Sequence, residues 1–275
     1  MQNALHLYHI PEESPWPLCV AIGSFFFVSG LAFFVHRIFL GTLLLFWGVL
    51  TLLLSAIMWF SDLIQEATYA GEHTQIVRWS LKIGFLLFLA SEVMLFFGFF
   101  WAFFHSALCP SVELGAVWPP KGLNYIPVFD YPLFNTILLI VSGFSVTWVH
   151  RAMAMGSFKN SIDGFIVTIS LGLLFIFSQA GEYFDATFNI TEGIYPSTFY
   201  LLTGLHGFHV IVGIIFLTVC FIRLLQRHFL VNHYSGLVFA MWYWHFVDIV
   251  WIALFIIVYL WGSWHTPHSI PSFLL

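Results

Sequence analysis

Long apolar segments separated by short polar or proline-rich stretches dominate the sequence between residues 18 and 262. A helix that crosses the hydrocarbon core of a bilayer needs about 20 mostly apolar residues. Seven segments meet this length, and each is predicted to form a transmembrane helix. The predicted helices are Leu18–His36, Phe39–Phe60, Leu81–Ala107, Pro132–Ala154, Ser161–Phe184, Ser197–Leu225 and Leu237–Gly262. The pattern therefore predicts an all-α membrane protein.

The connections between these segments predict a single membrane domain over residues 1–275. The first two segments nearly touch and are expected to form a tight helical hairpin. Proline-rich stretches mark longer loops between the third and fourth segments and before the sixth. Helices 1–2 cover about residues 18–60, helices 3–7 about 81–262, and a C-terminal tail covers 263–275.

Basic residues predict the orientation in the membrane, because Lys and Arg accumulate on the cytoplasmic or matrix side. Six lie on the face that the N-terminus shares, namely Arg78, Lys82, Arg151, Lys159, Arg223 and Arg227. Only Arg37 and Lys121 lie on the other. The N-terminus is therefore predicted on the inner side and the C-terminus on the outer side.

Composition excludes several classes of protein. Charged residues make up 8% of the chain, against about 25% in soluble domains. The 3 cysteines are far apart and odd in number, which argues against a disulfide framework. The first basic residue is Arg37, so no cleavable targeting segment is expected and synthesis close to the membrane is favoured.

One carboxyl group, that of Glu92, lies within the third predicted helix. It follows Lys82 by ten residues, about 15 Å along a helix and thus near the centre of a core about 30 Å thick. Its helical neighbours are apolar, and an acid without a charged partner is expected to be protonated at that depth. Two interpretations stay open: a proton-handling or regulatory group, and a neutral acid hydrogen-bonded to a neighbouring helix.

The sixth predicted helix carries His206 and His209 on one face, with Thr203 and Gly213. Small residues permit close helix packing and histidines can hydrogen-bond across it. The alternative is a metal site, for which the sequence offers no obvious further ligands. Histidine pairs spaced as in membrane haem proteins are not found, so we expect this chain to bind no haem.

The seventh predicted helix carries His245 and Asp248, three residues apart. Side chains at this spacing can pair, which lowers the cost of burying the acid; a proton relay is the alternative. His105, His150 and Glu182 lie near helix ends, where they are expected to reach water or lipid headgroups.

Two loops on the inner face bring basic side chains to the headgroup layer. These side chains are Arg78, Arg223, Arg227, His228 and His233. Basic pockets between spans suit anionic lipid headgroups. Ordinary flanking charge of the positive-inside kind is the alternative interpretation.

Five motifs in order resemble subunit III of the haem–copper cytochrome c oxidases. They are "SPWP" at Ser14–Pro17, "DLIQEATYAGEHT" at Asp62–Thr74, Ser91–Gly122, "TGLHGFHV" at Thr203–Val210 and "WYWHFVDIVW" at Trp242–Trp251. The related subunit of the quinol oxidases usually lacks the first two helices. Since both are predicted here, the resemblance is to the cytochrome c branch.

The resemblance implies a non-catalytic core subunit of respiratory complex IV, an oxidoreductase that oxidises cytochrome c, reduces oxygen to water and pumps protons. It implies seven helices in a two-helix and a five-helix group, with a V-shaped lipid cleft between them. Haem and copper belong to partner subunits, so this chain has no catalytic, redox-cofactor or metal site and binds structural phospholipids. The implied partners are subunits I and II, accessory subunits, membrane lipids and a respiratory supercomplex, without nucleic acid.

The resemblance also implies roles for individual residues. Glu92 matches a carboxyl of the family that reacts with carbodiimides. The positions that line bound phospholipids match Phe60, Glu66, His73, Arg223 and His233. The implied location is the mitochondrial inner membrane, with the N-terminus in the matrix and the C-terminus in the intermembrane space.

Two departures from the family pattern remove basic groups near the lipid positions. Ser61 replaces an arginine and Glu72 replaces a histidine, so the identity or affinity of the bound lipid is expected to differ from the family pattern. A stand-alone proton-coupled transporter that uses Glu92 is the alternative function. Such transporters often show inverted repeats or broken helices, and neither is visible in the sequence.

Overall fold

The computed structural model describes residues 8–10, 13–112, 115–229 and 234–263. Within these ranges all regular secondary structure is helical, and seven helices are long and apolar enough to cross a membrane. They are α1 (Trp16–Val35), α2 (Phe39–Gln65), α3 (Gln75–Leu108), α4 (Tyr131–Ala154), α5 (Phe158–Asp185), α6 (Ile194–Leu225) and α7 (Ser235–Leu254). The predicted all-α membrane class is confirmed.

Several helices are longer than the apolar segments that predicted them. A π-helical turn, Glu66–Ala70, continues α2, and another, Phe255–Trp261, continues α7. The 34 residues of α3 correspond to about 51 Å at 1.5 Å per residue, well beyond a core about 30 Å thick. Hydropathy reports only the part of a helix inside the hydrocarbon, so it misses polar turns such as the one that begins α3 at Gln75.

The chain forms two compact units, Met1–Ile83 and Gly84–Leu275. The first contains the predicted two-helix group, α1 and α2, together with the start of α3. The second contains the rest of α3 and the helices α4 to α7. The predicted lipid cleft stays a prediction.

Glycines allow the backbones of α1 and α2 to touch within the first unit. Gly23 and Gly30 on α1 are buried and seven residues apart, as are Gly41 and Gly48 on α2. A Cβ atom added at Gly41 would lie 2.3 Å from the backbone nitrogen of Phe34. Apolar side chains gain little by leaving lipid for one another, so close backbone packing of small residues holds such a hairpin together.

The α1–α2 hairpin turns through a hydrogen-bonded helix end. The amide of Arg37 donates to the carbonyl of Phe34, and the amide of Ile38 donates to that of Phe33, both at 2.9 Å. This is the Schellman arrangement, which requires a left-handed residue that is usually glycine. Arg37 occupies that position with φ 59°, which explains how three residues suffice to reverse the chain between two spans.

Aromatic side chains of α7 form much of the core of the second unit. Trp244 and Trp251 are fully buried. Their indole N–H groups donate to Ser142 Oγ (2.9 Å) and Thr136 Oγ1 (3.0 Å) of α4. Buried indoles usually find such a partner, so these two bonds set the packing of α7 on α4.

Candidate functional site

Glu92 lies near the middle of α3 and contacts a histidine of α6. Its carboxylate Oε2 is 2.7 Å from His209 Nε2. The His209 side chain is 7% exposed and that of Glu92 is 20% exposed. The sequence had predicted either a proton-handling group or an acid hydrogen-bonded to a neighbouring helix, and this contact places the acid against a partner that can share a proton.

The surroundings of His209 fix which of its ring nitrogens carries a proton. Nδ1 lies 2.8 Å from the carbonyl oxygen of Leu205, which can only accept. Nδ1 is therefore protonated, and Nε2 either accepts a proton from neutral Glu92 or donates one to ionised Glu92. The two states differ by the position of one proton between Oε2 and Nε2. Phe96 and Phe246 pack edge-on against the imidazole ring.

His206, one turn earlier on α6, has a different role. It is fully buried, and its Nε2 donates to the carbonyl of Val247 on α7 at 3.2 Å. Its ring packs against Phe175 and Trp251. Nδ1 has no hydrogen-bond partner among the described residues, as expected for the acceptor nitrogen of a neutral imidazole. His206 therefore links α6 to α7 and does not pair with Glu92.

His245 and Asp248 lie near each other on α7, but without a hydrogen bond. His245 Nδ1 is 3.9 Å from Asp248 Oδ2, too long for one. His245 Nε2 is instead 3.4 Å from Thr147 Oγ1 of α4. The Asp248 carboxyl is buried where α7 meets Gly143, at which a Cβ would lie 2.8 Å from Oδ2. Both side chains thus lie where α7 packs against α4.

Two of the predicted lipid positions lie beside a histidine that the sequence did not single out. Glu66 Oε2 is 3.1 Å from His9 Nε2. The rings of His9 and His73 are edge-on with centroids 5.9 Å apart. His9 belongs to the short polar segment before α1, outside every apolar span, so hydropathy carried no signal for it.

The other predicted lipid positions are spread over both units. Phe60 is an exposed residue of α2. Arg223, in the last turn of α6, places its guanidinium 4.6 Å from the centroid of the Phe229 ring. His233 lies outside the described residues. Within the part of the chain that the structure describes, basic side chains at this end of α6 also include Arg227, which stacks on Phe158 at 3.5 Å.

Comparison with known proteins supports the resemblance over nearly the whole chain. Residues 6–263 match the family model described as "Cytochrome c oxidase subunit III". Cytochrome c oxidase subunit 3 of Equus caballus is 48% identical over 263 residues, which are 96% of this chain and 100% of the relative. That of Prototheca wickerhamii is 48% identical over 258 residues, 94% and 98% of the two chains.

The chain belongs to the cytochrome c oxidase subunit III family. A similar protein from Lemur catta is 46% identical over 264 residues, 96% of each chain. The match includes every described helix, so the two-plus-five grouping predicted for a subunit III agrees with the seven helices found. The confirmed family places this chain among the components of the respiratory chain.

The sequence did not predict a chain of buried polar side chains in the second unit. Tyr259 donates to Glu182 Oε1 at 2.6 Å, and Gln179 donates to the same oxygen at 3.1 Å. Asn135 of α4 donates in turn to Gln179 Oε1 at 3.2 Å. The prediction that Glu182 reaches water or headgroups is wrong, because the residue is only 1% exposed. The position of Glu182 near a helix end indicated its depth in the membrane, but it did not indicate which neighbouring side chains bury this residue.

Two replacements of Glu92 are expected to distinguish the effect of its hydrogen bond on stability from the effect of its acidic proton. In Glu92→Gln, an amide N–H can still donate to His209 Nε2, so the subunit should be retained as in the wild type. In Glu92→Leu, the imidazole of His209 loses its partner, which costs about 1–3 kcal/mol for a buried polar group. The measurement is thermal release of the chain from the purified complex, with exposed Glu192→Gln as control. Equal stability of the Leu and Gln variants would contradict the hydrogen-bonded role.

Proposed function

We propose that the chain is a non-catalytic core subunit of complex IV in the mitochondrial inner membrane. The observation that carries this proposal is the family match over residues 6–263, together with relatives that align over almost their full length. The complex oxidises cytochrome c, reduces oxygen to water and pumps protons. Haem and copper are held by subunits I and II, and this chain binds no redox cofactor. Its N-terminus faces the matrix and its C-terminus the intermembrane space.

The first task of the chain in this proposal is to stabilise subunit I. Many large apolar side chains on the helices are exposed in the isolated chain; examples are Phe97 on α3, Phe144 on α4 and Phe177 on α5. Exposed apolar side chains on membrane helices are covered by lipid or by another subunit. The chain therefore offers lateral faces suited to both.

The second task is to bind structural phospholipid. Phe60 is exposed on α2, where it suits acyl chains, and Glu66 and His73 follow at the end of the same helix and in the turn after it. The resemblance also assigns lipid contacts to Arg223 and His233 in the second unit. The guanidinium of Arg223 suits a lipid phosphate. Ser61 and Glu72 remove basic groups near these positions, so zwitterionic lipid is favoured over anionic lipid at the first unit.

The third task concerns oxygen and protons. Oxygen partitions into hydrocarbon, so lipid bound along the chain gives it an apolar route toward subunit I. The Glu92–His209 pair joins α3 to α6 within the second unit, and its single shared proton suits a structural or regulatory group that supports sustained proton uptake. The pumping path itself belongs to subunit I.

Purification tests this proposal directly. A tagged chain, extracted in mild detergent, is expected to co-migrate with the haem–copper subunits I and II on a native gel. The same preparation should lose oxygen-consuming activity or active lifetime when delipidated, and regain it with added phospholipid. A chain that runs alone and supports proton-coupled solute uptake in vesicles would replace the proposal with the transporter.

A further inference from the structure

Three side chains that can ligate a metal ion converge in the first unit. His9, Glu66 and His73 each present one ligand atom, and these atoms all lie within 4.8 Å of one another. His9 Nε2 and Glu66 Oε2 are already 3.1 Å apart. The residues come from two separate parts of the chain, since His9 and Glu66 are 57 positions apart and His73 follows Glu66 after one turn.

The local fold explains why these segments meet. Glu66 opens the π-helical turn that continues α2, and Gly71 ends that turn in the left-handed conformation with φ 71°. The amide of Glu72 donates back to the carbonyl of Glu66 at 3.3 Å. This reversal returns His73 toward Glu66.

The third ligand is supplied by the segment before α1. The indole N–H of Trp16 donates to the carboxylate of Asp62 on α2. This bond ties the start of α1 to the last turns of α2, one turn before Glu66. His9 is thereby brought to the same end of the hairpin as the π-helical turn.

We propose that His9, Glu66 and His73 form a binding site for a divalent transition metal of the zinc class. Two imidazoles and one carboxylate are a donor set that zinc prefers. Bonds of about 2.0–2.2 Å place tetrahedral ligand atoms roughly 3.4 Å apart. The 3.1 Å contact already satisfies this spacing, and the remaining atoms need to approach by about 1.4 Å at most, a shift within reach of side-chain rotation.

The same donor set disfavours other common cations. Calcium and magnesium take oxygen ligands, whereas this cluster offers two imidazole nitrogens and one carboxylate. Three protein ligands leave one position of a tetrahedral zinc for water. The site is therefore expected to bind zinc in the presence of millimolar magnesium. Because Glu66 and His73 are also proposed lipid contacts, the test of the metal site needs a readout that depends neither on lipid nor on oxidase activity.

Equilibrium dialysis with radioactive zinc provides that readout. The intact complex containing the chain is stripped with a chelator, and zinc binding is compared between wild type and His9→Ala, Glu66→Gln and His73→Ala. We expect each variant to lose one site or to bind it more than about 10-fold more weakly, given that even outer contacts of metal ligands matter by that factor. His36→Ala is the matched control, since this exposed histidine lies in the same unit at the α1–α2 turn.

A second measurement covers variants that fail to assemble. In the wild-type complex, zinc but not magnesium should protect His9 and His73 from diethyl pyrocarbonate, as read by mass spectrometry, while His36 stays reactive. Unchanged zinc binding in all three variants would overturn the site. Equal modification of His9 and His73 with and without zinc would overturn it as well. Neither result bears on co-migration with subunits I and II, so the inference and the proposed function fail separately.

Discussion

Replacing Gly41 or Gly48 with alanine is expected to open the α1–α2 hairpin. An added Cβ would lie 2.3 Å from Phe34 N at Gly41 and 2.5 Å from Phe27 N at Gly48. The obstructing atoms are backbone, which no side-chain rotation can move, so the helices must separate along their length. Overpacking usually costs about 1–3 kcal/mol, and a backbone clash belongs at the upper end. The measurement is thermal unfolding of the purified complex, with proteolysis at the hairpin as a local probe.

Gly98→Ala in α3 is the matched control for this prediction. Among the described residues beyond its own helix, no atom lies within 4 Å of a Cβ added at Gly98. Alanine is favoured over glycine in a helix interior by about 1 kcal/mol. We expect this variant to be as stable as the wild type or slightly more so. If Gly41→Ala and Gly98→Ala behave alike, the close backbone packing of α1 on α2 is not what holds the hairpin together.

Truncating Glu182 is expected to have the second large effect. In Glu182→Ala, the hydroxyl of Tyr259 and the amide of Gln179 both lose their acceptor in a site without water access. Each buried polar group left without a partner costs about 1–3 kcal/mol. We therefore expect a loss of roughly 2–6 kcal/mol from these two groups together, measured as the thermal stability of the second unit in the assembled complex.

A conservative variant distinguishes the effect of the lost hydrogen bonds on stability from the effect of the lost side-chain volume at this position. Glu182→Gln keeps Oε1, which accepts both bonds, but places an N–H₂ group where Glu182 Oε2 has no partner among the described residues. An intermediate loss of stability is expected. The control is Glu192→Ala, an exposed glutamate that accepts a bond from Asn189 and should change stability by less than about 0.5 kcal/mol. A wild-type-like Glu182→Ala would show that the buried polar chain is not structural.

The spans could be predicted from the sequence because hydropathy reports contact with lipid. Glu92 could be singled out for the same reason, because an acid within an apolar span is unusual whichever side of the helix carries it. Its partner could not be predicted from the sequence. His206 and His209 are equally near in sequence, and only the rotation of α6 against α3 and α7 decides that one meets Glu92 and the other meets Val247.

Glu182 and His9 illustrate two further limits. Glu182 was misread because the position of a residue along a helix gives its depth, whereas Tyr259 and Asn135 of other helices decide its burial. His9 lies outside the spans, and the Trp16–Asp62 hydrogen bond that brings its segment to Glu66 is not described by hydropathy. The glycines of α1 and α2 did carry a readable signal. Their seven-residue spacing puts small residues on one helical stripe, the pattern typical of closely packed membrane helices.

The Glu92–His209 contact also has a consequence for synthesis, because the ribosome adds Glu92 to the chain well before it adds His209. The residues are 117 positions apart, which corresponds to roughly 6–23 s of synthesis at about 5–20 residues per second. During this interval α3 lies in the bilayer with a carboxyl group that has no partner on another helix, and such a group is costly in hydrocarbon. Synthesis of α6 therefore removes a cost that α3 bears from the time it enters the membrane.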